Sequence, residues 1–260
     1  MNTLKIFRYQ TRDVLRNRWI PGYALFFLLI SDALFRFGGD GERVILSLMN
    51  VVLLLVPLSA VMLGVMYLYS SREYIELLLT QPIRRGELFL GLFGGLALPL
   101  SAAFVVGAGL PFLYHGAAGT GAALPILLGT GVLLTVIFVA LAFALALVTE
   151  DRTRGMGLAL LAWMGFAVLY NGLVLLVVQL FADYPLERVV IGLSVLNPID
   201  LGRILLLLNL DAAALMGFTG AVFERFFGGA TGRAVTLAAL SLWLAVPLLL
   251  GRRAFLRKNF

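Results

Sequence analysis

Long apolar runs broken by short charged segments set the pattern of this chain. A helix that crosses about 30 Å of hydrocarbon needs about 20 residues. Runs that reach or approach that length lie at 21–37, 44–69, 88–114, 121–148, 155–181 and 233–250. A further apolar stretch, 204–223, contains Asn209 and Asp211. A carboxylate near a span centre costs roughly 2.5–3.5 kcal/mol on insertion scales. A seventh crossing would also carry the basic C-terminus to the opposite side. The stretch therefore reads as part of an outer re-entrant or interfacial hairpin over 196–225, with Gly217 and Gly220 as natural bends.

Between the second and third runs lies SSREYIELLLTQPIRRGE, residues 70–87. Ser70 and Glu73 have capping-box spacing, which predicts a helix start there. Gln81-Pro82 should end the helix, because the residue before a proline is pushed out of helical geometry. The expected product is a short helix at the membrane face that carries Glu73 and Glu76, followed by Arg84 and Arg85. Before the first run, Leu4, Phe7, Thr11 and Val14 follow helical spacing, with Lys5, Arg8, Arg12 and Arg16 largely on the other faces. Residues 1–20 thus read as an amphipathic interfacial helix ahead of Pro21. A plain basic topology anchor accounts for the same residues almost as well.

Sorting the cations by loop tests the partition. One side receives Lys5, Arg8, Arg12, Arg16, Arg18, Arg72, Arg84, Arg85, Arg152, Arg154, Arg252, Arg253, Arg257 and Lys258. The other receives only Arg36, Arg43, Arg188, Arg203, Arg225 and Arg233. Basic loops stay in the cytoplasm, so both termini should lie there and six helices should cross. The fold class is all-α integral membrane, a single polytopic domain over 21–260.

Composition narrows the chemistry. The chain is 61% hydrophobic and 13% charged, about half the charged share of soluble domains. The net charge of +6 is better read as a topology marker than as a footprint for nucleic acid. Cysteine is absent and His115 is the one histidine, which excludes thiolate metal sites and histidine-pair motifs. There is no G-x-x-x-x-G-K-[ST], H-E-x-x-H or G-x-S-x-G. No early apolar core with a small-residue cleavage site marks a signal peptide. A non-catalytic chain without a metal or cofactor of its own is expected.

Polar groups inside the runs are few. Asp32 lies near the outer end of the first run and faces either a pore or the headgroups. Asn171 and Gln179 in the fifth run suit hydrogen bonds to a neighbouring helix better than ligand contact. Gly91 and Gly95 form a G-x-x-x-G that permits close helix approach. Pro57, Pro99, Pro111 and Pro125 should kink or interrupt their helices. Met62 and Met66, one turn apart, read as a packing pair rather than a copper site.

The stretch from Ile75 to Arg85 resembles the E-L-L-L-x-x-P-x-x-R coupling region of ABC-2 type permeases. Upstream the pattern departs, with Glu73-Tyr74 where a Gly-Thr pair is frequent. The resemblance covers essentially the whole chain. It implies the type V exporter fold, with six spans, an N-terminal interfacial helix, a cytoplasmic coupling helix between spans two and three, and re-entrant helices between spans five and six. In such a protein Leu77 and Leu78 would anchor the coupling helix in a groove of the ATPase. Glu73, Glu76, Gln81, Pro82, Arg84 and Arg85 would line its rim.

A second stretch holds Leu196, Asn197, Pro198, Ile199, Asp200, Leu201, Gly202 and Arg203, then Leu210-Asp211 and residues 216–223. It is similar to the permeases of nitrous-oxide-reductase maturation transporters. That likeness implies a second copy of the chain and a cytoplasmic ATPase dimer carrying ATP and Mg. It also implies a periplasmic maturation protein that meets Asn197, Pro198, Asp200, Arg203 and Asp211, in support of a copper–sulfur centre. A generic exporter of another cargo and a membrane assembly scaffold without transport are the competing readings. A secondary transporter fits less well, since no internal repeat stands out and ionisable residues in the spans are nearly confined to Asp32 and Asp211.

Overall fold

In hydrocarbon each backbone amide and carbonyl needs a partner within the protein, so only helices and closed barrels cross a membrane. The computed structural model describes residues 11, 14, 18–38, 40–115, 121–181, 187–209 and 230–258, and every regular element among them is helical. The elements are α1 (Trp19–Gly38), α2 (Gly41–Ser70), α3 (Arg72–Leu79), α4 (Arg85–Tyr114), α5 (Ala123–Val148), α6 (Arg152–Leu180), α7 (Glu187–Val195), α8 (Pro198–Asn209) and α9 (Ala230–Arg257). Helices α1, α2, α4, α5, α6 and α9 are long and apolar enough to cross a bilayer. The chain is an integral membrane protein, and these helices coincide with the expected runs to within three residues, except that α9 continues to Arg257, seven residues past the expected end at 250. The interfacial segment with Arg8, Arg12 and Arg16, and the hairpin tip with Asp211, Gly217 and Gly220, lie outside the described residues.

The core is built on α5, 61% of whose most apolar window is buried, against none of that of α6. Helices α2, α4 and α9 pack around α5, and α1 leans mainly on α4. The α1–α4 seam is closed by Phe27 against Phe104, centroids 5.1 Å apart, and Phe35 against Phe112 at 4.7 Å. At Gly107 of α4 an added Cβ would collide with the Ala24 carbonyl of α1. Only glycine permits that approach. Gly91 and Gly95 are likewise buried in α4.

The prolines do not interrupt the helices. Pro57 lies inside α2, Pro99 and Pro111 lie inside α4, and all three are buried. Pro125 falls in the first turn of α5, where a missing amide proton has no helical acceptor to lose. Helix α6 changes pitch instead: α-helical to Met164, it makes one π turn over Gly165–Leu169 and resumes at Tyr170.

Hydrogen bonds fix which ends of the bundle meet. Tyr69 Oη lies 2.6 Å from Thr149 Oγ1, Arg85 donates to Lys258, and Lys258 Nζ donates to the Leu147 carbonyl at 3.0 Å. Those contacts gather the ends of α2 and α5, the start of α4 and the end of α9. At the opposite end Tyr114 and His115 meet Asp32, joining α4 to α1. The first end holds Arg72, Arg84, Arg85, Arg152, Arg154, Arg252, Arg253, Arg257 and Lys258.

Candidate functional site

At the basic end α3 crosses between α2 and α4 as a short two-faced helix. Its inner face is Ile75, fully buried, and Leu78, 4% exposed. Tyr74, Leu79 and Ile83 pack beside them. Its outer face carries Glu73, Glu76, Leu77 and Thr80, with Gln81, Pro82 and Arg84 continuing the exposed surface. Leu77 is 61% exposed, an apolar side chain on the same outer face as the Glu73 and Glu76 carboxylates. This corrects the pair of leucine anchors: Leu78 belongs to the core of its own chain, and Leu77 alone projects.

The capping box is corrected as well. Helix α2 runs through Ser70, and the Ser71 amide bonds the Tyr67 carbonyl at 3.0 Å. Ser71 precedes α3 without a side-chain cap bond. Extending an existing helix by a residue gains a hydrogen bond at once, whereas a new helix must be nucleated. That preference wins over the local capping signal. The far end behaves as expected, because α3 stops at Leu79, before Gln81-Pro82.

The support beneath α3 is polar and was not legible in the sequence. The Tyr69 hydroxyl reaches the Thr149 carbonyl and hydroxyl, and the Arg72 guanidinium sits 5.5 Å above the Tyr69 ring. Gly155 of α6 lies so close that an added Cβ would strike the Tyr69 ring and hydroxyl. Arg85 does not project with Arg84. It donates to the Leu256 and Lys258 carbonyls at 3.2 and 2.9 Å, closing the C-terminal end of α9. Burial holds the Lys258 ammonium below its ordinary range; the Arg72 charge adds to this and Glu150 opposes it.

A second cluster joins the outer segment to the π turn. Asn197, fully buried, accepts from the Ile199 amide at 3.0 Å and so caps α8. Its Nδ2 donates to the Phe166 carbonyl at 2.9 Å and to Asp200 at 3.0 Å. A π turn disturbs the regular ladder, and the neighbouring Ala167 carbonyl also takes a side-chain amide, that of Asn171, at 3.1 Å. Around this node Trp243 Nε1 donates to Val195, the Tyr170 hydroxyl donates to Leu193, and Trp243 meets Phe166 edge-on at 5.2 Å. Trp163 Nε1 donates to the Leu54 carbonyl of α2, beside the Leu53 carbonyl whose helical donor Pro57 lacks.

These contacts reassign several expected site residues. Asn197 and Pro198 are buried, so they seat α8 rather than present a surface. Asp200 pairs with Arg203 at 3.5 Å on the same helix. Asn171 bonds within its own helix instead of to a neighbour, and Gln179 is exposed. Asp32 is held by Arg36 at 2.8 Å, Tyr114 at 2.8 Å and His115 at 3.0 Å, with Phe35 stacked on the His115 ring. Its charge ties α1 to α4. No group of three or more metal-ligating side chains occurs among the described residues.

Six apolar helices with a short two-faced helix on their basic end define an integral membrane helix bundle. Residues 4–260 match the ABC-2 family transporter proteins, and the chain belongs to that family. It is 31% identical to the "Probable ABC transporter permease protein NosY" of Pseudomonas aeruginosa, over 95% of this chain and 92% of that protein. It is 28% identical to the "Probable ABC transporter permease protein NosY" of Stutzerimonas stutzeri, over 97% of each chain. Family membership implies an ATPase partner.

Proposed function

We propose that this chain is the membrane half of an ATP-driven transporter in a bacterial inner membrane. Both termini lie in the cytoplasm, and ATP and Mg bind on a separate ATPase dimer. Two copies of the chain form the permease, each a single polytopic domain with residues 1–20 lying in the inner headgroup layer. The outer segment 196–225 meets a periplasmic maturation protein, and the cycle serves assembly of the copper–sulfur centre of nitrous oxide reductase. The two relatives named NosY support the pathway. The concentration of cations at the α3 end supports the sidedness.

The observation that carries the coupling role is the division of α3 between Leu78, buried, and Leu77, 61% exposed. A helix clamped to its own spans on one face transmits displacement, and its other face offers one apolar knob flanked on one side by Glu73 and Glu76. Burial of a leucine side chain contributes about 1.5–3 kcal/mol, enough to seat the knob in an apolar pocket with a basic rim. Leu77→Asp, reconstituted with the ATPase, should abolish substrate-stimulated ATP hydrolysis while insertion and thermal stability match the parent. Leu78→Asp should instead lower stability before any assay of coupling. Full stimulation in the Leu77→Asp variant would remove α3 as the coupling element.

A further inference from the structure

Because α1 leans on α4 at Gly107 and Phe104, it parts from α2 along its first two turns. A cavity of about 530 Å³ opens there to the membrane face, lined by Gly22, Tyr23 and Phe26 of α1 and by Leu55, Ser59 and Met62 of α2, among others. A smaller cavity of about 90 Å³, sharing Trp19 and Leu63, continues it toward Ser70 and the headgroup level. The walls are apolar apart from the hydroxyls of Tyr23 and Ser59. The Tyr23 hydroxyl is buried in a residue only 8% exposed and makes no direct hydrogen bond, with Ser59 as its neighbouring polar side chain. Ser59, on the facing wall, directs its proton to the Leu55 and Val56 carbonyls.

We infer that this groove binds one glycerophospholipid, its acyl chain between α1 and α2 and an ester carbonyl on the Tyr23 hydroxyl. An unpaired buried hydroxyl is unfavourable, and a water molecule there would find few other polar partners. The depth order along α1 matches one ligand. Exposed Arg18 lies at the headgroup end, Trp19 follows at the interface, and Tyr23 comes roughly 6 Å deeper than Trp19 at 1.5 Å per residue. Below Tyr23 the groove is lined by Phe26, Phe27 and Leu55. Cation, indole, hydroxyl and hydrocarbon thus succeed one another as phosphate, glycerol ester and chain do. The inference does not rest on the coupling role of α3.

The test uses the full chain in vesicles of phosphatidylethanolamine and phosphatidylglycerol doped with a phospholipid bearing a photoreactive acyl chain. Labelled peptides are mapped by mass spectrometry. Label should concentrate on the peptides holding Phe26 and Met62. Gly22 has open space where its Cβ would stand, as does Gly157 on exposed α6. Gly22→Leu therefore fills the groove without backbone strain and should abolish the concentrated label, whereas Gly157→Leu should leave it unchanged. Tyr23→Phe should keep the fold and reduce phospholipid retained after purification by about fivefold, the ratio one net hydrogen bond supports. Label spread evenly over α1, α6 and α9, insensitive to Gly22→Leu, would reduce the groove to ordinary annular contact. In this cysteine-free chain, a disulfide formed between two Gly22→Cys copies would assign the groove to a second protomer. Either result overturns the lipid site.

Discussion

Replacing Asn197 with alanine removes three hydrogen bonds at one buried point. The Ile199 amide loses its cap acceptor, and the Phe166 carbonyl and Asp200 carboxylate each lose a donor. Loss of an N-cap costs about 1 kcal/mol. A partly buried carbonyl left without its donor adds about 1–2 kcal/mol. Arg203 stays beside Asp200 at 3.5 Å, so the third bond is counted as compensated. The sum, about 2–3 kcal/mol, is a sizeable share of a typical 5–15 kcal/mol stability. Equilibrium unfolding in mixed micelles, followed by helicity, should show that loss. Amide exchange should rise at the π turn of α6 and the first turn of α8, while the α4–α5 core stays protected. Asn197→Asp separates the two roles, because a carboxylate still caps Ile199 but faces Asp200 and the Phe166 carbonyl with no donor. It should be more destabilising than alanine, although aspartate is a good cap residue. If Asn197→Asp unfolds within about 0.5 kcal/mol of the parent, the size of an ordinary surface change, the node does not depend on this amide.

Two further substitutions probe the basic end. Gly155→Ala drives a methyl group into the Tyr69 ring and should cost about 1–3 kcal/mol, as overpacking does. Combining it with Tyr69→Leu should cost less than the two single losses added together in a double-mutant cycle, and strict additivity would refute the contact. Arg85→Ala frees the Leu256 and Lys258 carbonyls, so limited proteolysis should release the last residues faster while α3 remains protected. An unchanged cleavage rate would show that Arg85 does not secure the chain end.

The spans were legible because each is a long apolar run bounded by charge, and burial in hydrocarbon leaves no alternative to a helix. The end of α3 was equally plain from Gln81-Pro82. Its start was not, because a capping box at Ser70 competes with the continuation of a 30-residue helix. Its phase was hidden by three consecutive leucines, Leu77 to Leu79. They cover more than half the helix circumference, and only the surface offered by the bundle selects Leu78 and Ile75 as the inner pair. Asn197 stood out as a polar residue in the outer segment, yet its role depends on a π turn that no composition signals. Asp32 and His115 lie 83 positions apart. Nothing local joins them; the parallel course of α1 and α4, with Phe27 on Phe104 and Phe35 on Phe112, does.

The protein contains three tryptophans. Two of them, Trp163 and Trp243, flank the π turn, with their indole nitrogens bonded to the Leu54 and Val195 carbonyls. Trp19 stands apart, at the mouth of the α1–α2 groove. The native ultraviolet emission is therefore weighted toward the junction of α6, α8 and α9, with a separate contribution from the groove. Trp19→Phe would leave an intrinsic fluorophore pair that reports rearrangement of this junction during a turnover cycle, with no dye attached.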